Sequence, residues 1–402
     1  MIFKVSLFFL IVSLIFDPTG DFYNFKYIST ILSFFVFWIY FIKKKYSFNC
    51  NYQQIIIIGS FSILMPLYGL FITYFYTDLN KVNDSSYLGF AVLLLLLFPI
   101  TFIHPKLFFK TLILALRLLS FLTIMILVSF IYDADNLGIA QFFIDKKSML
   151  VGFREYSGIQ TYFFYFTASP LLIILVAYDS YKLVNRITIR NVLLCVLSVL
   201  SIFLTGTRFN MLMSIVILPI IILVYKFSIK KIVLYFFLIF CFFIFLFQNS
   251  FTGSFFSLSE DSNSVKIGYF DSYSKIFKEP EVIILGQGFN AYDSSKSFRD
   301  MLNKFGNEGM KTELTSIELV RVFGVFFGTI FNLIIIVIPF LLYKKFKGIN
   351  FLVIGIVFYL ISSLINPYIF STNGVVVFLF IITLLQNRGS NIYIPTKDLF
   401  YD

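Results

Sequence analysis

Residues 348–387 contain no Asp, Glu, Lys or Arg over 40 consecutive positions. A helix that crosses the hydrocarbon core of a bilayer needs about 20 predominantly apolar residues, so this stretch is long enough for two such helices. Polar residues at 366–367 and 371–374 interrupt its middle. The stretch therefore predicts a hairpin of two membrane-spanning helices and excludes a soluble domain in this part of the chain.

The same apolar character extends along the whole chain. Of the 402 residues, 59% are hydrophobic and 13% are charged, and the mean hydropathy is +0.90, whereas ordinary domains carry about 25% charged residues. Apolar runs bounded by charges or turn formers predict twelve spans, near 2–16, 27–42, 53–76, 86–103, 107–132, 161–178, 191–206, 209–225, 231–247, 314–342, 350–366 and 374–387. We expect an all-α, polytopic integral membrane protein of about 12 transmembrane helices. The first run lacks a small-x-small cleavage site before Asp17, so we expect an uncleaved helix rather than a signal peptide.

The distribution of positive charge predicts the orientation. With these spans, seventeen Lys and Arg residues fall in one set of loops and termini and six in the short loops of the other set. Loops rich in Lys and Arg stay on the cytoplasmic side, so both termini are expected in the cytoplasm. The net charge of +11 then reflects topology and contact with anionic lipid headgroups, and we expect no nucleic acid as a partner.

One outer loop differs from the others. Residues 248–312 carry seven Lys or Arg and eight Asp or Glu, and long loops in compact proteins are usually functional or disordered. We expect an ordered cap. The predicted division is nine spans in 1–247 with a smaller outer loop at 133–160, the large loop at 248–312, three spans in 313–387, and a cytoplasmic tail at 388–402.

Two arginines are unusual in their positions. Arg208 follows a tight Thr205-Gly206-Thr207 turn between two apolar runs, where it either snorkels to mark a helix end or grips phosphate oxygens bidentately. Arg117 lies about 15 Å inside its span, and we expect no Asp or Glu deep in any span to pair with it. Its partner is then a water-filled cavity, hydroxyl groups or a lipid phosphate, unless tilt and snorkelling carry it to the interface.

The end of the large loop carries the other candidates. Thr315 and Glu318 have the spacing of a helix capping box, and Glu318 with Arg321 has the spacing of an i,i+3 ion pair. Glu313 has no such local partner, so it is a candidate proton acceptor with a pKa raised by desolvation. The Gly286-Gln287-Gly288 segment is predicted to be an ordinary turn, and Arg154 either pairs with Glu155 or serves the site.

Metal and cofactor chemistry has no signature in this sequence. The three cysteines form no CxxC pair and His104 is the only histidine, so we expect neither a zinc site nor a disulfide framework. We therefore assign no metal ligands and no cofactor.

With these features together, the chain resembles the bacterial O-antigen polymerases (Wzy-type), which share an architecture with the O-antigen ligases. The resemblance covers about a dozen spans, the large loop before the tenth span, and two motifs: Thr205-Gly206-Thr207-Arg208, and Leu285-Gly286-Gln287-Gly288-Phe289 followed by Glu313-Leu314-Thr315-Ser316-Ile317-Glu318-Leu319 and Gly324. Ligases typically place a histidine where this chain has Glu313. The departure favours a polymerase over a ligase and excludes a histidine-based mechanism.

The resemblance implies a GT-C-like fold in the bacterial inner membrane and a metal-independent glycosyltransferase acting at the periplasmic face. A growing glycan on undecaprenyl pyrophosphate would be transferred to a sugar hydroxyl of another lipid-linked repeat unit. A chain-length regulator and a flippase are the implied protein partners. The alternatives are an O-antigen ligase and a lipid-linked oligosaccharide flippase or transporter.

The same resemblance assigns roles to individual residues. Arg208 and Arg154 would contact phosphate, Arg117 would line the cavity on the lipid side, and Glu313 would act as the base. The remaining substrate-binding candidates are Glu318, Arg321 and Tyr292, and Tyr269 and Tyr273 are further candidates for stacking on sugars.

Overall fold

The computed structural model describes residues 2–43, 50–76, 86–102, 105–132, 138–156, 159–225, 270, 273–274, 276–289 and 314–386. Its helices are α1 Ile2–Phe16, α2 Phe25–Lys43, α3 Tyr52–Ile58, α4 Met65–Tyr76, α5 Ser86–Leu96, α6 Pro105–Tyr132, α7 Ile139–Asp145, α8 Leu172–Asn185, α9 Ile189–Phe203, α10 Arg208–Tyr225, α11 Pro280–Leu285, α12 Thr315–Phe346, α13 Phe351–Ile365 and α14 Thr372–Leu385. A π-helical segment, Gly59–Leu64, joins α3 to α4. The strands are β1 Met149–Tyr156 and β2 Ile159–Phe166.

The described part of the chain is mostly helical, as predicted, and its helices have transmembrane character. Five are long and apolar enough to cross a membrane: Phe25–Lys43, Tyr52–Phe75, Pro105–Ile131, Arg208–Tyr225 and Thr315–Phe346. The shorter apolar helices are α1, α5, α9, α13 and α14. The predicted span at 231–247, the tail at 388–402 and most of the 248–312 loop lie outside the described residues.

The long stretch without Asp, Glu, Lys or Arg forms the centre of the bundle. It folds into α13 and α14 with a turn at 366–371, as the polar interruption predicted. Every residue of α14 is buried, and the helix packs against α1, α3, α5, α6 and α12. A helix that is hydrophobic on all sides is expected where neighbours surround it completely, which explains why this segment lacks charge.

The predicted span at 161–178 is wrong in its first half. Residues Ile159–Phe166 form β2, which pairs antiparallel with β1, so the two-stranded hairpin runs from the expected outer loop into the predicted span. The sequence of β2 is rich in aromatic residues, which favour strands, and its alternate residues Phe164 and Phe166 are buried while Phe163 and Tyr165 are half-buried. A short apolar run does not by itself distinguish strand from helix, so the prediction placed the helix too early.

Hydrogen bonds hold several turns together at one end of the bundle. Thr372 Oγ1 donates to the carbonyl oxygen of Pro18 over 3.1 Å, and the Asn373 side-chain amide donates to the carbonyl oxygen of Thr167. Thr315 Oγ1, at the start of α12, donates to the carbonyl oxygen of Asn366 over 3.0 Å. We call this the hairpin end: residues 17–24, the β1–β2 hairpin, the 366–371 turn and the first turns of α10, α12 and α14.

Candidate functional site

A buried ion pair lies just inside the start of α12. Arg321 donates from Nη2 and Nε to the two carboxylate oxygens of Glu318, over 2.6 and 2.9 Å. The Tyr273 hydroxyl donates to Glu318 over 2.9 Å, and Arg321 Nη1 donates to Gln287 Oε1 over 3.0 Å. The side chains of Arg321 and Glu318 are 0% and 1% exposed. The predicted i,i+3 pair is confirmed, and we call these four residues the buried ion-pair network.

The enclosure of this network changes the expected roles of its members. Glu318 and Arg321 were expected to bind substrate, but both side chains are taken out of solvent and bonded to each other. Tyr273, expected to stack on a sugar, is buried and stacks on Phe277. Such a network, with its charges paired and hydrogen-bonded, holds the surrounding backbone in one arrangement. The three residues therefore position neighbouring segments.

The Gly286-Gln287-Gly288 segment is a turn, as predicted, but it also binds α12. The backbone N–H of Gln287 donates to the Arg321 carbonyl oxygen over 2.7 Å, and the backbone N–H of Gly288 donates to the Val322 carbonyl oxygen over 2.9 Å. These acceptors lie beside Gly324, where α12 leaves helical geometry with φ of 72°. A kink leaves carbonyl groups without their usual helical donors, and the turn supplies the missing donors.

The two glycines at this junction are required by the close approach of the backbones. Gly286 and Gly324 both have positive φ, 85° and 72°. A Cβ on Gly286 would lie 2.5 Å from the Val322 carbonyl oxygen, and a Cβ on Gly324 would overlap the carbonyl oxygen of Ile284. Only glycine fits this geometry without displacing backbone. The two halves of the second motif, separated by a long loop in sequence, therefore meet in the fold.

Helix α4 holds the other side of the turn. The Tyr68 hydroxyl donates to the carbonyl oxygen of Leu285 over 3.0 Å, and the Phe289 amide donates to Thr73 Oγ1 over 2.7 Å. The Phe289 ring stacks on Tyr87, with ring centroids 5.7 Å apart. The turn is thus fixed between α4, α5 and α12.

The predicted capping box of Thr315 and Glu318 is wrong. Leu314 occupies the N-cap position of α12 and its side chain makes no capping hydrogen bond. The Glu318 carboxylate is held by Arg321 and Tyr273, and the Thr315 hydroxyl donates to Asn366. Of these partners, Arg321 follows from local spacing, whereas Tyr273 and Asn366 are distant in the sequence and could not be predicted from it.

Arg208 begins α10 at the hairpin end and is half-buried. The preceding turn is fixed to the hairpin, because the Phe164 amide donates to the Leu204 carbonyl oxygen over 2.8 Å. Two residues into α10, the Asn210 side-chain oxygen accepts a 3.4 Å hydrogen bond from Ser362, one turn before the end of α13. The backbone that carries Arg208 is therefore held in place, and its side chain lies in the positive potential of a helix N-terminus.

The expectation that Arg117 has no carboxylate partner is wrong. Its Nη2 lies 3.0 Å from Oδ1 of Asp179, whose side chain is 2% exposed. The sequence analysis treated Asp179 as the flank of a span ending at 178. Because β2 occupies the first half of that run, the helix starts later and Asp179 is its eighth residue. Arg117 is therefore an ion-pair partner of α8 and does not belong to the hairpin end.

The other predicted site residues are described in part or not at all. Arg154 lies on β1 opposite Thr161, and its expected pairing with Glu155 stays a prediction. Glu313 and Tyr292 lie outside the described residues. Within the described ranges, no group of three or more His, Cys, Asp or Glu side chains is arranged to hold a metal ion.

The sequence analysis missed a cavity of about 410 Å³ at the hairpin end. Its polar lining includes Lys26, Thr372 and Asn373, and its apolar lining includes Phe90 and Phe370. The side-chain oxygen of Asn373 is buried with no hydrogen-bond partner among the described residues. The lining comes from segments spread from residue 18 to residue 373, so no local motif could have indicated it.

Comparison with known proteins adds no relative. No protein-family model, no curated protein and no solved structure matches this chain.

Proposed function

We propose that this chain is a glycan polymerase of the O-antigen polymerase type. It would transfer a growing glycan from undecaprenyl pyrophosphate to a sugar hydroxyl of another lipid-linked repeat unit, at the periplasmic face of the bacterial inner membrane. The observation that carries the proposal is the meeting of the Gly286-Gln287-Gly288 turn with Arg321 and Gly324. Residues that defined the resemblance by sequence order alone are in contact in the fold.

The hairpin end offers the chemistry that this reaction needs. Departure of the pyrophosphate develops negative charge, which a preorganised cation stabilises. Arg208 is fixed there by the contacts of its turn, and we assign it to the phosphates together with Arg154 of β1. The buried ion-pair network holds the large loop's glycine turn against α12. It acts as a positioning element and does not touch substrate.

The cavity at the same end suits the acceptor glycan. It joins apolar and aromatic walls to a few polar groups, as ligand pockets in proteins usually do, and its volume lies in their usual range. The 366–371 turn borders it and is bonded to Thr315 of α12. Glu313 precedes α12 in the sequence, and we assign it as the base that accepts the proton of the acceptor hydroxyl. Tyr292 is assigned to sugar stacking.

The Arg117–Asp179 pair favours a second candidate, a transporter of lipid-linked oligosaccharide. A transporter is expected to carry ionisable groups within its spans and two related halves. Asp179 supplies a buried carboxylate, but the sequence has no clear two-half symmetry and places its largest hydrophilic segment in one loop. Buried ionisable residues within spans often mark transport pathways. We keep the polymerase first because the two halves of the second motif meet at Gly286 and Gly324, and because the turn before Arg208 is bonded to β2, which also lines the cavity. Neither Arg117 nor Asp179 lines that cavity.

A genetic test separates these candidates. We expect that deleting the gene leaves surface lipopolysaccharide with at most one repeat unit, and that a plasmid carrying Arg208→Ala fails to restore longer chains. Arg208→Ala removes the charge assigned to the phosphates. The readout is the lipopolysaccharide ladder on a gel, together with the amount of protein in the membrane.

The matched control is Arg186→Ala, which removes an exposed arginine from the α8–α9 connection and should restore the full ladder. A deletion strain that keeps its ladder would rule out the polymerase. Loss of even the single-unit band would favour the ligase or the transporter instead.

A further inference from the structure

Arg117 belongs to a cluster of cations built around one aromatic ring. The Arg117 guanidinium carbon lies 5.7 Å from the centroid of the Tyr178 ring, and Lys182 Nζ lies 5.5 Å from the same centroid. Cations at such distances are attracted to the ring. The Tyr178 ring is itself fixed by edge contact with Phe109 and by packing against Phe351. Two positive groups are therefore held on one rigid support.

Several cations act on Lys182. Arg117, Arg190 and Lys110 act on it as like charges, and Asp179 acts on it as an opposite charge. Arg117 already uses that carboxylate through Nη2, and its side chain remains 31% exposed. Like charges held close together repel one another. An anion in their midst would relieve this repulsion.

The surroundings of the cluster are apolar and exposed. Leu114 and Leu118 flank Arg117 on α6, and Leu193 and Val196 lie on α9, all with exposed side chains. In the α8–α9 connection, Ile187 and Ile189 are 74% and 82% exposed. These apolar surfaces lie beside the cations, where the acyl chains of a lipid would follow its headgroup.

Helices α8 and α9 are too short to cross the full hydrocarbon core, so Arg117 lies near the level of the lipid headgroups. Helices α8 and α9 have 14 and 15 residues, about 21–23 Å at 1.5 Å per residue, whereas the hydrocarbon core is about 30 Å thick. Short helices are accommodated by local thinning and by snorkelling of flanking cations. Arg117 lies about 18 Å along α6. Lys182 lies in the last turn of α8, and Arg190 is the second residue of α9.

We propose that Arg117, Lys182 and Arg190 bind the phosphodiester headgroup of an anionic lipid where α6, α8 and α9 pack together. The guanidinium groups would contact phosphate oxygens, Lys182 would supply a point charge, and the acyl chains would lie along the exposed faces of α6 and α9. The apolar flanks favour a lipid over free phosphate. The site does not depend on the proposed polymerase activity.

Lipid retention tests this site. The full-length protein is reconstituted into nanodiscs of phosphatidylglycerol and phosphatidylcholine in equal amounts, released into detergent, and weighed with its bound lipids by native mass spectrometry. We expect wild type to retain phosphatidylglycerol in preference to phosphatidylcholine. Because each cation near a lipid surface contributes about fivefold in affinity, Arg190→Ala should reduce that preference about fivefold, and Lys182→Ala with Arg190→Ala on the order of 20-fold.

The control is Arg186→Ala, which removes another exposed arginine of the α8–α9 connection that is not part of the proposed site. It should retain the lipid as wild type does, and the unfolding temperature of all variants in detergent should match that of wild type. Arg190 is exposed, so its replacement does not test folding. Equal retention by wild type and the double variant would overturn the proposal. Displacement of the lipid by an equal concentration of inorganic phosphate would overturn its assignment to lipid.

Discussion

Arg321→Met should destabilise the folded protein by about 3–5 kcal/mol, the usual effect of breaking a buried ion pair from one side. The variant keeps the length and apolar stem of the side chain but removes the charge. Glu318 would then stay buried without the guanidinium, keeping its hydrogen bond from the Tyr273 hydroxyl, and Gln287 would lose its charged donor. The free energy of unfolding in a detergent–SDS titration measures the loss.

Two further variants separate loss of the pair from loss of packing. Glu318→Leu combined with Arg321→Met should recover most of the stability, because replacing both buried charges by apolar groups is often neutral. Arg186→Met, at an exposed arginine, should change the free energy of unfolding by less than about 0.5 kcal/mol. A stable Arg321→Met protein would mean that the side chain reaches solvent and that the network is not buried.

Gly324→Ala should destabilise the protein by at least about 2 kcal/mol. Gly324 has φ of 72° and ψ of 169°, a backbone region that is essentially restricted to glycine and costs another residue about 1–3 kcal/mol. The new methyl group would also overlap the Ile284 carbonyl oxygen and come within 2.8 Å of the Leu285 carbonyl carbon. The glycine turn would separate from α12, so we also expect proteolysis in the large loop to become faster. Unfolding titration and limited proteolysis measure the two effects.

Gly59→Ala is the matched control for this substitution. Gly59 has ordinary helical angles, with φ of −57°, and an added Cβ meets no atom within 4 Å. Alanine there should leave stability unchanged or raise it by up to about 1 kcal/mol. If Gly324→Ala were as stable as Gly59→Ala, the contact between the two motif halves would be incorrect.

Much of the helical framework could be predicted from apolar runs, because apolar side chains are favoured both inside a helical bundle and in contact with a bilayer. The hairpin of α13 and α14 was predicted in this way from the absence of charge and its polar interruption. The β hairpin could not be, since Ile159–Phe166 is apolar enough to continue into a span and its strand character lies in alternation over only eight residues. That single misplacement also hid Asp179 as the partner of Arg117.

The site was predictable only where its geometry is local. The pair of Glu318 and Arg321 follows from i,i+3 spacing and was predicted, whereas its bonds to Tyr273 and Gln287 join distant segments. The resemblance placed the Gly286 and Gly324 segments in order along the chain. Their contact depends on backbone close approach that no pairwise spacing encodes. The cavity around Lys26 and Asn373 likewise requires the assembled fold.

In the proposed function, Arg208 and Arg154 at the hairpin end stabilise the leaving pyrophosphate during glycan transfer at the periplasmic face. The most direct test is elongation by the purified protein in proteoliposomes, with lipid-linked oligosaccharide extracted from the deletion strain as substrate and EDTA present. We predict a ladder of lengthened lipid-linked glycans with wild type, a strong loss of rate with Glu313→Gln, and no ladder with Arg208→Ala. A ladder that required manganese or magnesium, or one made equally well by Arg208→Ala, would contradict the account.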